Sequence, residues 1–179
     1  MRAFISIDIP EDVKEKISKI QESLPEFKGK NTERENLHLT LKFLGEVGEE
    51  KVEEVGKRLK EVNFNSFETK ADEIGVFDNR KSGKYKRKII VWLHLVNCEE
   101  LQRKVDEALS GLFKSEKRFM SHLTIARVKE VKAGGEEEFV EKLKEINLPK
   151  IRFNVKSFRL KESVLGKNGP KYKTIEEYC

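Results

Sequence analysis

The stretch Asn36-Leu37-His38-Leu39-Thr40-Leu41-Lys42-Phe43-Leu44-Gly45 decides the fold, because it returns as Ser121-His122-Leu123-Thr124-Ile125-Ala126-Arg127-Val128. In both copies apolar residues alternate with polar ones, which predicts a half-buried strand, and Gly45 closes the first copy. Side chains of a strand point alternately to opposite faces, so His38 and Thr40 share one face while Leu39 and Leu41 take the other. By the same geometry His122 and Thr124 stand together, backed by Leu123 and Ile125. The chain has three histidines, and two of them meet a threonine two places on in matching apolar settings. A lone His-x-Thr would mean little, since short motifs arise by chance. The matched pair carries the weight, and each copy is half of a site.

Working outward, Arg2 to Ile9 predicts a strand ended by Pro10. A helix follows, with Val13, Ile17, Ile20 and Leu24 on one stripe and Pro25 stopping it. Phe27 to Glu35 is a polar loop. A second helix runs from Glu49 to Val62, and Phe64 to Phe77 is a strand of weak alternation. Asp78 to Lys88 is a basic loop. Ile89 to Val96 is the most apolar run, suited to a central strand. A helix over Glu99 to Phe113, the second His-x-Thr strand, a Gly134-Gly135 break and a helix over Glu136 to Ile146 come next. Strands over Ile151 to Val164 and Tyr172 to Tyr178 close the chain. The halves match in order, and their histidines stand 84 positions apart (122 − 38). This predicts an α+β, bilobal single domain, 1–179, built from a duplicated unit of about 1–80 and 86–179. Each unit forms a lobe with a mainly antiparallel sheet covered by helices, and a pseudo-twofold brings His38 and His122 together across a central cleft.

Composition narrows the class. Apolar residues make up 37% and charged residues 39%, with Lys+Arg 37 against Asp+Glu 32, a net charge of +5. Such mixed charge fits a solvated, ion-pair-rich surface, and the basic excess fits attraction to a polyanion such as RNA. Cys98 and Cys179 make neither a metal-type spacing nor a disulfide framework, so a cytoplasmic setting is expected. The apolar N-terminal run is too short for a signal peptide, and no stretch reaches membrane-spanning length, so no membrane partner is expected.

Histidine titrates near neutrality, so of two facing imidazoles one can accept a proton while the other donates one. In-line displacement at phosphorus needs that arrangement, with a nucleophile entering on one side and a leaving group departing on the other. Thr40 and Thr124 could donate hydrogen bonds to the non-bridging phosphate oxygens. No metal and no cofactor is called for.

The paired His-Leu-Thr motifs, their separation and the repeated element order resemble the two-histidine phosphoesterase superfamily. Within it the chain is most similar to the RNA 2′,3′-cyclic phosphodiesterases, also called 2′-5′ RNA ligases. The opening Arg2 to Pro10, His38 to Gly45, Ile74 to Phe77, Trp92-Leu93 and His122 to Arg127 stand in that family's order. The resemblance implies a bilobal α+β fold with both motifs facing a positively charged groove. It implies hydrolysis of a terminal RNA 2′,3′-cyclic phosphate to a 2′-phosphate, with His38 as proton donor to the 3′ oxygen and His122 as the base that activates water. It also implies that the site can join a 5′-hydroxyl to the cyclic end without ATP. The partner would be RNA with such an end, tRNA fragments included, bound by a monomer. One departure is Asp78 and a long basic loop where relatives often carry proline.

Other residues have weaker signals. Arg127 matches an arginine of the relatives and suits phosphate, yet strict alternation puts it on the face opposite His122. Lys42 shares His38's face by the same rule, although lysine on a strand is also ordinary protection against edge pairing. Phe77 could stack a base or simply end an apolar strand. Arg80 and Tyr85, in the basic loop, could grip RNA and stack a base, or mark a solvated hairpin tip. His94 lacks the motif and reads as structural. The rival readings are a metal hydrolase, which lacks convergent ligand spacing here, and a non-catalytic RNA-binding module, which leaves the matched histidines unexplained.

Overall fold

β1 (Arg2–Asp8) runs to Pro10, whose extended backbone (φ −60°, ψ 152°) opens α1 (Glu11–Glu22). α1 buries Val13, Ile17 and Ile20 at helical spacing and places Glu11 and Asp12 in its first turn, where the helix dipole favours negative charge. β2 (Lys28–Asn31) and a 3-10 turn at Arg34–Asn36 lead to β3 (His38–Glu46), α2 (Glu49–Leu59) and β4 (Phe67–Asp78). Then come β5 (Ile89–Leu95), α3 (Glu99–Ala108), β6 (His122–Glu130) and α4 (Glu136–Lys144). β7 (Arg152–Val155), β8 (Phe158–Gly166) and β9 (Gly169–Tyr178) end the chain. This computed structural model describes residues 1–78, 89–132, 135–167 and 169–179.

The strands form one antiparallel path, β7-β4-β5-β6-β3-β1-β8-β9, with β2 added on β6. Its two arms meet between β3 and β6, where the one paired position is Leu39 opposite Leu123. The α+β architecture is as expected, but the arms are not the two sequence halves. β4, from the first half, pairs with β5, the next strand in the chain, while β8 lies beside β1 and β9 beyond β8. Sequential strands pair where they can, so the closing strand of the first half is drawn to the opening strand of the second. The polar segment expected to be a loop also contains a strand. β2 has no apolar residue, and it forms by pairing its backbone with β6 from Ala126 to Glu130, where β3 has already diverged.

The helices share one core with the sheet face that carries Leu39, Leu41, Leu93, Leu123 and Ile125. β3 and β6 show the same burial order at all nine positions. In each, two consecutive residues are buried in the middle, Leu41-Lys42 and Ile125-Ala126. The registers explain this. Ser6 faces Thr40 but Ile5 faces Lys42, and Trp92 faces Thr124 but Val91 faces Ala126, so each strand has one extra residue there. Such a bulge reverses the phase of every side chain beyond it.

Gly75 faces Trp92, and a Cβ at residue 75 would stand 2.3 Å from the indole ring. Its lack of a side chain lets the indole lie across β4. Gly75→Ala is expected to lower the unfolding free energy by about 1–3 kcal/mol through overpacking, read from the denaturant midpoint. An unchanged midpoint would contradict this packing.

Candidate active site

An antiparallel pair centred on Leu39 and Leu123 places position 38 beside 124 and position 40 beside 122. His38, Thr40, His122 and Thr124 therefore stand on the sheet face opposite the helices, all half-buried. His38 and His122 are diagonal neighbours, which in a regular antiparallel pair are about 7–8 Å apart. One strand further out, Asp8 and Ser6 lie opposite His38 and Thr40, as His94 and Trp92 lie opposite His122 and Thr124.

Each imidazole is held the same way. His38 Nδ1 donates to the Asn36 carbonyl at 2.7 Å, and His122 Nδ1 donates to the Met120 carbonyl at 2.7 Å. With the proton on Nδ1, each Nε2 is a lone-pair acceptor turned away from its anchor. The Thr40 hydroxyl donates to His38 Nε2 at 3.0 Å, whereas His122 Nε2 has no hydrogen-bond partner among the described residues. Aromatic rings fix both imidazoles. Tyr172 meets His38 edge-on at 5.0 Å and Phe4 lies tilted on it at 5.0 Å, while Phe77 meets His122 edge-on at 4.9 Å. Phe77 in turn rests on Trp92 at 5.2 Å.

Burial pushes His38 down to about 4, with Lys161 and Arg127 adding to the effect against the Asn36 hydrogen bond and the Asp8 carboxylate. Burial also lowers His122, with Arg127 again contributing. Both shifts favour the neutral form of the ring. The shielding that orients them also disfavours their charged forms.

The bulges decide three further positions. Arg127, beyond the bulge in β6, emerges on the face of His122 and Thr124 rather than opposite it. It is exposed, forms no ion pair among the described residues, and its charge is felt by His38, His122 and Tyr172. Lys42 moves the other way, correcting the expected alternation. It is buried on the core side, where it pairs with Asp106 and donates to the Lys114 carbonyl at 2.9 Å, away from the histidines. Phe43 takes the place on the open face that Lys42 was expected to fill. Arg80 and Tyr85 lie outside the described residues.

Several neighbours gave no sequence signal. Arg159 and Lys161 of β8 both pair with Asp8, the residue opposite His38. Tyr172 reaches His38 from β9, and the Asn36 side chain fastens that hairpin by donating to the Pro170 carbonyl at 3.0 Å. His94, on the same face as His122, donates from Nδ1 to Asp72 at 2.6 Å. Only pairing between distant strands brings these groups together. Among the described residues no helix is long and apolar enough to cross a membrane, and no three His, Cys, Asp or Glu side chains are grouped as a metal site would need.

Two imidazoles anchored through Nδ1, two hydroxyls and the exposed Arg127 guanidinium on one face are the equipment of a phosphoesterase. The chain belongs to the LigT-like phosphoesterase family, whose model matches residues 7–85 and 96–172. It is 40% identical to the RNA 2′,3′-cyclic phosphodiesterase of Methanocaldococcus jannaschii, over 99% of this chain and 100% of that one. It is 37% identical to the Archaeoglobus fulgidus protein of the same name, over 99% of each chain. Among solved structures, Escherichia coli LigT complexed with 3′-AMP matches with a TM-score of 0.75 at 23% identity, over 98% of this chain and 95% of that one. That last likeness is one of fold.

The protonation states can be read directly. His38 is lowered, so its contribution to stability is complete above its ordinary value of 6.5 and is lost as pH falls toward about 4. Imidazole ¹⁵N spectra should show Nδ1–H tautomers for His38 and His122 at pH 7, with His38 the last to protonate. Unfolding free energy should fall on acidification below pH 6.5, and His38→Gln should flatten that fall. Protonation of His38 above its ordinary value would contradict the burial seen here.

Proposed function

We propose that this protein hydrolyses terminal 2′,3′-cyclic phosphates of RNA to 2′-phosphates. The observation that carries the reading is the meeting of two His-Thr half-sites, each imidazole anchored through Nδ1 to a carbonyl two residues back, at the Leu39–Leu123 pair. The names of relatives up to 40% identical across the whole chain agree with it.

In this reading the phosphate lies among His38, Thr40, His122 and Thr124, with Arg127 on its charge. His122 Nε2 takes a proton from water as the water oxygen bonds to phosphorus. The bond from phosphorus to the 3′ oxygen breaks, and His38 Nε2–H protonates that oxygen, leaving the phosphate on the 2′ oxygen. His38 therefore has to gain a proton when substrate binds. An anion set beside its ring favours the charged form, and Asp8 already acts in that direction. Thr40, released from His38 Nε2, can then turn its hydroxyl to a phosphate oxygen, as Thr124 can. Phe77 braces His122 edge-on. A 5′-hydroxyl in place of water would give a 2′-5′ bond by the same proton transfers.

The natural substrate would be an RNA fragment such as a cleaved tRNA, met by a monomer in the cytoplasm. The free thiols of Cys98 and Cys179 agree with a reducing setting. We also take the halves as copies of one unit, on the strength of the shared burial order of β3 and β6.

An oligonucleotide ending in a 2′,3′-cyclic phosphate should be converted to the 2′-phosphate without ATP. His38→Ala and His122→Ala should each lower kcat/KM by about a hundredfold to ten-thousandfold. A 3′-phosphate product would reverse the two roles. Unimpaired RNA binding by both variants, with no turnover by the parent, would favour the binding module instead.

A further inference from the structure

His94 stands outside both motifs, yet the sheet sets it directly beside His122. The two residues are paired across β5 and β6 and share the open face. One step along the ladder the Leu95 amide donates to the Ser121 carbonyl at 3.2 Å, so Leu95 and Ser121 form a hydrogen-bonded pair. Antiparallel pairs alternate, which makes His94 and His122 a pair of the closer, non-hydrogen-bonded kind. Their Cβ atoms are then about 4.5–5.5 Å apart. The His94 ring is fixed from its outer side. Its Nδ1 donates to Asp72 Oδ1 at 2.6 Å, and Asp72 belongs to β4, on the far side of β5 from β6. The two nitrogens of an imidazole point widely apart, so an Nδ1 turned out to β4 turns Nε2 away from it. Among the described residues that Nε2 has no hydrogen-bond partner.

The arm that carries His122 therefore offers two ring nitrogens of one kind. His122 keeps its proton on Nδ1 for the Met120 carbonyl, His94 keeps its own on Nδ1 for Asp72, and each Nε2 is a lone-pair acceptor. A water molecule has two hydrogens to donate, and acceptors that take both lie about 4.5 Å apart. That distance is comparable with the Cβ spacing of the pair. A water held by both hydrogens has its oxygen lone pairs turned away from the rings, free to meet phosphorus. The other arm is built differently. There Asp8, opposite His38, is occupied by Arg159 and Lys161 and supplies no second ring nitrogen. A phosphate subsite at His94 is the poorer alternative, because Asp72 and Glu73, the residue of β4 opposite His94, set carboxylates beside that ring.

We propose that His94 is the second acceptor for the attacking water, and that it favours water over an alcohol as the nucleophile. The proposal rests on the reading of His122 as the base. One water hydrogen passes to His122 Nε2 as the oxygen bonds to phosphorus. The other stays on that oxygen and only donates a hydrogen bond to His94 Nε2. An alcohol has a single hydroxyl hydrogen. It can serve His122, but it leaves His94 unmatched and sets a carbon against it. His94 thus biases the site toward hydrolysis and against joining a 5′-hydroxyl.

The test follows turnover of an oligonucleotide ending in a 2′,3′-cyclic phosphate by the whole protein, with and without methanol in the water. His94→Ala and His94→Phe should each lower kcat about ten- to hundredfold and leave KM unchanged, because the water loses its orientation while the RNA loses no contact. His94→Gln, whose side-chain carbonyl can accept the same hydrogen, should regain most of the lost rate. With methanol present, the ratio of 2′-phosphate methyl ester to free 2′-phosphate should rise in the alanine variant. An unchanged kcat, an effect confined to KM, equal losses for glutamine and alanine, or a product ratio the same as the parent's would each overturn the proposal. No turnover by the parent would discard the proposed reaction and this assignment together, whereas any of those four results from an active parent discards the assignment alone.

Discussion

Leu39 and Leu123 meet where the two arms of the sheet join, and the position of every group in the site depends on that contact. Each is almost wholly buried, at 0% and 1% exposure. Burying a leucine contributes roughly 1.5–3 kcal/mol, so the junction is held by the core beneath it more than by its few backbone bonds. Because side chains alternate along a strand, packing these two leucines inward obliges His38, Thr40, His122 and Thr124 outward. The apolar and the chemical requirements are met by the same residues in alternation. The core below thus fixes which way the quartet above faces.

Above that junction the two halves serve different ends. Both imidazoles are anchored through Nδ1 to a carbonyl two residues back, and both are lowered by burial. Their outer neighbours differ. Asp8, holding Arg159 and Lys161, adjoins His38, whereas His94, paired with Asp72, adjoins His122. Tyr172 and Phe4 enclose the first ring; among the described residues Phe77 is the one ring against the second, and its Nε2 is left unpartnered. A nearly symmetric backbone therefore carries unlike surroundings. A reaction that takes a proton at one ring and gives one at the other needs that difference.

Much of this was legible from spacing. Alternation placed both His-Thr pairs on outward faces, and the 3.6-residue stripes located the helices to within a few residues at their ends. Phase was not legible past Leu41 and Ile125. A bulge is specified by how a strand fits its neighbour, so alternation read from one segment misassigned Lys42 and left Arg127 on the wrong side. β2 escaped notice because a strand held by backbone pairing alone has no apolar period. Arg159 and Lys161 reach the site through pairing of β8 with β1, and Tyr172 through pairing of β9 with β8, the first of which nothing local encodes.

In the proposed reaction two imidazoles distant in sequence act on one phosphorus. A crystal structure of the protein with a nucleoside and vanadate, which mimics five-coordinate phosphorus, would show both rings at work. One vanadium is expected on the open face of the β3–β6 junction. His38 and His122 Nε2 should lie about 2.6–3.2 Å from opposite apical oxygens, and the Thr40 and Thr124 hydroxyls should contact equatorial ones. Vanadate held by only one of the two histidines, or bound away from the Leu39–Leu123 pair, would contradict it.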